Sequence, residues 1–180
     1  MASSNKSTNK IIFNDNLNTK PNSKDVDNIK LSNFYVCNLY IDNKEYYHVE
    51  GFYHSSKYIN DDDKAAERIR MMSFPQLCKK IADKYVMDDN KVVRWENGEK
   101  CFVMKRALIS KFITNTELAK YLVSTRESEL IYNVLDEFWG SGKDGNGNNI
   151  LGKMLMEVRT VVKSLADKYD NDNDSDSEDE

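Results

Sequence analysis

Apolar residues recur with a helical period near the end of the chain. Leu151, Met154, Leu155, Val158, Val162 and Leu165 stand at i, i+3, i+4, i+7, i+11 and i+14, which places them on one face of a helix predicted over about 150–169. Met104, Leu108 and Phe112 share a face in the same way and predict a helix over 99–113. The stretch 38–49 (NLYIDNKEYYHV) instead alternates apolar and polar residues around Asp42-Asn43-Lys44, so it predicts a β-hairpin. A helix is expected from Glu50 to Tyr58. The acids at 61–63 start another through Met72, and Ser73 with Pro75 starts a third to about Tyr85. The segments 116–123 and 128–134 read as short helices. The fold class expected is α+β and predominantly helical: one compact domain with a small β-hairpin.

Composition sets the limits of that domain. With 39% hydrophobic residues among 180, the chain can bury one real core. Residues 1–30 are dominated by Asn, Lys, Ser and Asp, with too few apolar groups to offset the entropy of ordering. Residues 170–180 (DNDNDSDSEDE) hold seven acids and no base. The expected organisation is therefore a disordered segment 1–30, a folded domain 31–169 and an acidic disordered tail 170–180. The formal charge is −4, and without the tail it becomes +3, so the body is mildly basic. That suits a phosphorylated small molecule better than a long polyanion. No apolar run is long enough for a membrane span and the N-terminus lacks the core of a signal peptide, so a soluble, cytoplasmic protein without a membrane partner is expected. Cys37, Cys78 and Cys101 are scattered and odd in number, which argues for free thiols. Neither His48 nor His54 pairs with a cysteine at zinc-finger spacing. No metal site and no cofactor are expected.

Chemistry concentrates at 139–159, WGSGKDGNGNNILGKMLMEVR, where a glycine- and asparagine-rich loop runs straight into the last helix. Glycines let a backbone approach a ligand closely, Asn148 or Asn149 can cap the helix, and free N–H groups in a first helical turn favour an anion. Two familiar loops are excluded. Gly142-Lys143 is followed by Asp144, and Glu137 stands where a P-loop needs glycine. An EF-hand starting at Asp144 would have Asn149 in place of its turn glycine and Leu155 in place of its bidentate Glu. Taken alone, the loop reads first as a flexible connector capped by Asn.

Other blocks occur upstream in order: LSNF at 31–34, VEGFYHSSKY at 49–58, RWENGEKCFVMKRALISKF at 94–112 and LDEFWG at 135–140. With Gly147, Asn149, Leu151, Gly152, Leu155, Met156, Val158 and Arg159 in the final block, they make the chain resemble the NADAR superfamily of YbiA-like N-glycosidases over about residues 31–165. The resemblance implies cleavage of an N-glycosidic bond, which builds positive charge at the anomeric carbon and electron density on the leaving nitrogen. It places Glu50 at the family's active-site glutamate and Asp136 as a second carboxylate. Read without the resemblance, Glu50 is simply an acid at a helix N-terminus. Trp95 and Trp139 fall on motif positions and are candidates for stacking on a base, against the alternative of core anchors. Lys57, Gly140 and Asn149 complete the candidate substrate-binding set. Lys57, Lys143 and Arg159 are candidate phosphate contacts or structural cations. The chain departs from the pattern at His48 (usually Thr), Gly51 (His), His54 (Gln) and Tyr132 (Glu). Two substrate classes are implied: phosphoribosylamino-pyrimidine intermediates of riboflavin biosynthesis, the expected substrate, and ADP-ribose conjugates such as ADP-ribosylated guanine in nucleic acid. A non-catalytic ADP-ribose or nucleotide-binding module is the rival from another class.

Overall fold

Asp42 and Asn43 both take left-handed backbone, with φ of 52° and 59°. This is the geometry a two-residue hairpin turn needs to match strand twist. Strands β2 (Leu39–Ile41) and β3 (Lys44–Tyr46) pair antiparallel across that turn, as the alternation predicts, with Leu39 opposite Tyr46. The computed structural model describes residues 9–16 and 27–175.

After the hairpin come α1 (Val49–Ser55), α2 (Asp63–Arg70), α3 (Pro75–Ala82) and α4 (Asp89–Arg94). Their starts follow local chemistry. The His48 ring nitrogen accepts from the N–H of Gly51 to cap α1, and the Asp62 side chain accepts from Ala65 to cap α2. Pro75 occupies the first turn of α3, where its missing N–H costs nothing. The chain then kinks through 95–99 at Gly98, whose φ of 121° is open to glycine and strained for other residues, and continues as α5 (Lys100–Thr114). Helix α6 (Thr116–Ser124) follows, and α7 (Ile150–Ser175) closes the fold.

Two elements differ from expectation. Where the pattern predicts a short helix over 128–134, the chain forms strand β4 (Glu129–Tyr132), which buries Leu130 and Tyr132 on alternate positions. Its partner explains the difference. Residues Lys10–Phe13, within the stretch whose composition predicts disorder, form strand β1 and pair with β4 in parallel, Lys10 beside Glu129 and Phe13 beside Tyr132. The folded body therefore begins upstream of residue 31, and residues 27–31 add a 3₁₀ turn. Helix α7 runs on to Ser175, into the acidic stretch 170–180. The remainder of the expected disordered segments, 1–8, 17–26 and 176–180, lies outside the described residues.

The main core gathers Phe13 of β1, the hairpin, Phe52 of α1, one face of α5 (Met104, Leu108, Phe112), Leu130 of β4 and Leu151, Leu155 and Val158 of α7. A smaller cluster around Tyr58, Ile69 and Cys78 packs α2 and α3 onto the end of α1. With both faces of α1 engaged, its position is fixed. Among the described residues no helix is long and apolar enough to cross a membrane.

Candidate active site

Glu50 and His54 stand one turn apart on α1. His54 Nε2 lies 3.2 Å from Glu50 Oε2, and Asn33, in the turn after the 3₁₀ segment, donates from Nδ2 to Glu50 Oε1 at 3.3 Å. With the proton on Nε2, His54 is a second donor to the same carboxylate. The Glu50 side chain keeps only 14% of its surface exposed. Held from both oxygens, it retains lone pairs for a ligand in the cleft it lines. Asn33 Oδ1 and His54 Nδ1 are buried without a protein partner among the described residues.

That cleft has a volume of about 340 Å³ and is also lined by Asp15, Phe34, Tyr53, Lys57, Lys79, Met104, Tyr132, Val134, Asp136 and Trp139. One wall is aromatic. Tyr53 meets Trp139 edge to face with ring centres 5.8 Å apart, while Trp95 packs behind Tyr53 at 5.1 Å. A flat heterocycle fits such a wall. Lys57, one turn beyond Tyr53, sets its ammonium 5.7 Å from the ring centres of both Tyr53 and Trp95. Burial pulls the Lys57 ammonium below the usual lysine range, which makes a charge partner more valuable there. Lys79 of α3 adds a second cation to the lining.

The sequence-predicted residues divide into two groups. Glu50, Lys57, Asp136 and Trp139 line one cleft. Trp95 is buried, with 4% of its surface exposed, and backs the cleft through Tyr53 rather than lining it. Asp136 is exposed and uses Oδ1 to accept from the N–H groups of Phe138 (2.9 Å) and Trp139 (2.7 Å), which fixes the turn that presents Trp139. Gly140 is scaffold: a Cβ there would fall 2.4 Å from Val134 and 2.9 Å from the Tyr132 carbonyl. The side chain of Asn149 accepts from the N–H of Tyr132 at 3.0 Å and donates to the Leu130 carbonyl at 2.8 Å, so it pins β4 to the start of α7.

This arrangement overturns the expectation of free donors at the head of α7. The N–H groups of Asn148, Asn149, Ile150 and Leu151 donate to the carbonyls of Glu137, Gly140, Phe138 and Trp139. The loop thus caps the start of its own helix, and these four backbone donors are committed to that. Lys143 lies outside the cleft lining. Arg159 donates to Thr125 Oγ1 and to the Ser128 carbonyl at 2.8 and 2.9 Å, tying α7 to the turn before β4.

Asn33 sits inside the LSNF block, and Tyr132 and His54 stand at departures from the family pattern, so a reading of motif positions reaches all three. Asp15 carries no such signal. It lies in a stretch of Asn and Asp without periodicity and reaches the cleft through the pairing of β1 with β4.

The model of the NADAR domain matches residues 20–163. The N-glycosidase YbiA of Escherichia coli (strain K12) is 33% identical over 131 residues, 71% of this chain and 78% of that protein. The riboflavin biosynthesis protein VVA0006 of Vibrio vulnificus is 30% identical over 141 residues, 76% of this chain and 36% of that larger protein. The NMR structure of E. coli YbiA superimposes with a TM-score of 0.67 at 28% identity, covering 90% of this chain and 89% of its own. Matched along most of its length by family model, relatives and a solved structure, the chain belongs to the NADAR domain family.

Proposed function

We propose that this protein is an N-glycosidase that hydrolyses the base–sugar bond of phosphoribosylamino-pyrimidine intermediates of riboflavin biosynthesis. The observation that carries the reading is Glu50, a carboxylate gripped by Asn33 and His54 in a cleft with an aromatic wall. The relatives named N-glycosidase YbiA and riboflavin biosynthesis protein support the same chemistry and substrate class.

On this reading the work divides as follows. The pyrimidine lies against Trp139 and Tyr53, and the phosphate is drawn to Lys57 and Lys79. The ribose then lies near Glu50, between apolar Phe34, Met104 and Val134. As the C–N bond lengthens, the bonding pair moves to nitrogen and positive charge spreads over the anomeric carbon and ring oxygen. A carboxylate held by fixed donors stabilises that charge without reorganising. Water bonds to the carbon, and one of its protons passes to Glu50 and on to the released nitrogen. A volume of about 340 Å³ lies within the roughly 300–1,000 Å³ typical of small-molecule pockets.

Purified protein incubated with ribosylaminopyrimidine phosphates should release free pyrimidine and ribose phosphate. Incubation with ADP-ribosylated DNA should release nothing at a comparable rate. Glu50→Gln should keep the fold and lower turnover by roughly 10²–10⁴-fold. Unchanged turnover in that variant removes Glu50 from the mechanism, and release from the DNA alone moves the substrate to the ADP-ribosyl class. Binding of either ligand with no product at all returns the protein to a binding module.

A further inference from the structure

We propose that Asp15, carried into the cleft by the segment after β1, is the carboxylate that works opposite Glu50, the place in the mechanism that Asp136 would otherwise fill. The proposal rests on the N-glycosidase reading and adds a residue to it. Asp15 precedes residues 20–163, the stretch matched by the family model.

Asp15 is built in as an acceptor. Its Oδ1 accepts from the Ser32 hydroxyl and its Oδ2 from the Tyr132 hydroxyl. Ser32 and Tyr132 are themselves buried. Beneath them the fully buried Lys111 donates from Nζ to the Ser32 carbonyl at 2.7 Å, and its charge attracts Asp15. Burial pushes the Asp15 carboxyl above its usual range. The hydrogen bonds from Ser32 and Tyr132 act against that, and the like charge of Glu50 adds to it. The two carboxylates therefore sense each other across one small cleft. Asp136 differs in burial and in partners: it is exposed, and its Oδ1 accepts from the backbone N–H groups of its own turn, Phe138 and Trp139, rather than from buried side chains.

Two anions lining an empty cleft repel. A cation forming between them removes that repulsion and is stabilised by both, so the arrangement favours the transition state, cationic at its anomeric carbon, over the ground-state sugar ring, which is uncharged there. Asp15 exchanges no proton in this step. The bond changes remain those already given: carbon–nitrogen breaks with its pair on nitrogen, carbon–oxygen forms to water, and the proton travels by Glu50.

The test measures cation preference directly, independent of turnover. Protonated 1,4-dideoxy-1,4-iminoribitol, a cationic sugar mimic, and neutral ribose are titrated calorimetrically into the wild type, Asp15→Asn and Asp136→Asn. Asp15→Asn should weaken the iminoribitol by roughly tenfold or more, the direction set by losing one of two nearby charges in a low-dielectric cleft, and leave ribose unchanged. Asp136→Asn should alter neither by as much. In the wild-type protein the ¹³C carboxyl resonance of Asp15 should move on saturation with iminoribitol and stay in place with ribose, a readout that needs no folded variant. A stationary Asp15 resonance, or a cation preference lost in Asp136→Asn and kept in Asp15→Asn, overturns the proposal. Normal turnover alongside either of those results leaves the N-glycosidase reading standing while Asp15 falls. An intact Asp15-dependent cation preference with no turnover on any ribosylated substrate does the reverse.

Discussion

Lys111 sits on the buried face of α5 with no exposed surface, and its ammonium donates to the Ser32 carbonyl. Burial lowers its ammonium to about 8, while the neighbouring Cys37 and Asp15 pull it back up. In the unfolded chain the same group titrates near its ordinary value of 10.5. Between those two values the unfolded state binds more protons than the folded one, so this group's contribution to stability rises with pH. Below pH 8 the folded protein carries a buried charge; above it, that cost fades. Burial pushes the Cys78 thiol to about 12, an effect of opposite sign that the wild type shares with a Lys111 variant. Burial also raises Cys37, which the Lys111 charge holds down, so losing Lys111 adds to the variant's disadvantage at high pH. Urea unfolding of wild type and Lys111→Met from pH 7 to 10 should therefore show the wild type gaining relative to the variant above pH 8, by at most about 1.4 kcal/mol per pH unit. A constant difference across that range would mean that Lys111 titrates normally. Glu50 is legible in the sequence because it occupies a motif position. Lys111 is not, because a lysine on a helix reads as solvated until the packing around it is known.

The same division holds for elements. Helix α7, α5 and the β2–β3 hairpin carry their own periodicity, and the structure places them within a few residues of expectation. The segment 128–134 is ambiguous: Leu130 and Val134 are spaced for a helix, while Leu130 and Tyr132 alternate as in a strand. What decides it is β1, which is remote in sequence, together with the side chain of Asn149. That side chain replaces two backbone partners for β4, and its own backbone takes a left-handed φ of 49°. Asn149→Ala should leave the Tyr132 N–H and the Leu130 carbonyl unpaired and destabilise the fold by about 1–3 kcal/mol for each group left buried and unsatisfied. Urea midpoints measure it, and a loss below a few tenths of a kcal/mol would mean that water or a backbone shift replaces the clamp.

At the scale of the whole molecule, charge is unevenly distributed: seven of the 30 acids lie in 170–180, and the rest of the chain is net basic. Charges more than about 8 Å apart are screened at physiological salt, so deleting 176–180 should leave the melting temperature and turnover nearly unchanged. A KM that falls in the truncated protein at low salt and returns to the wild-type value at high salt would instead show the tail competing with a phosphorylated substrate. The domain boundary is the part least visible in the sequence, because β1 is a short apolar run, Ile11 to Phe13, set among Asn, Asp and Lys, and its pairing partner is distant in sequence. That pairing also sets an order in time. β1 leaves the ribosome first and waits for nearly all of the domain before Glu129–Tyr132 exists to receive it. Closing so long a loop is entropically slow compared with the local contacts of the helices. Asp15 meets Tyr132 only when this closure is made, although its contact with Ser32 is local. The helices and the hairpin can thus assemble around Glu50 before β1 is seated, and the cleft is expected to reach its full lining late in folding.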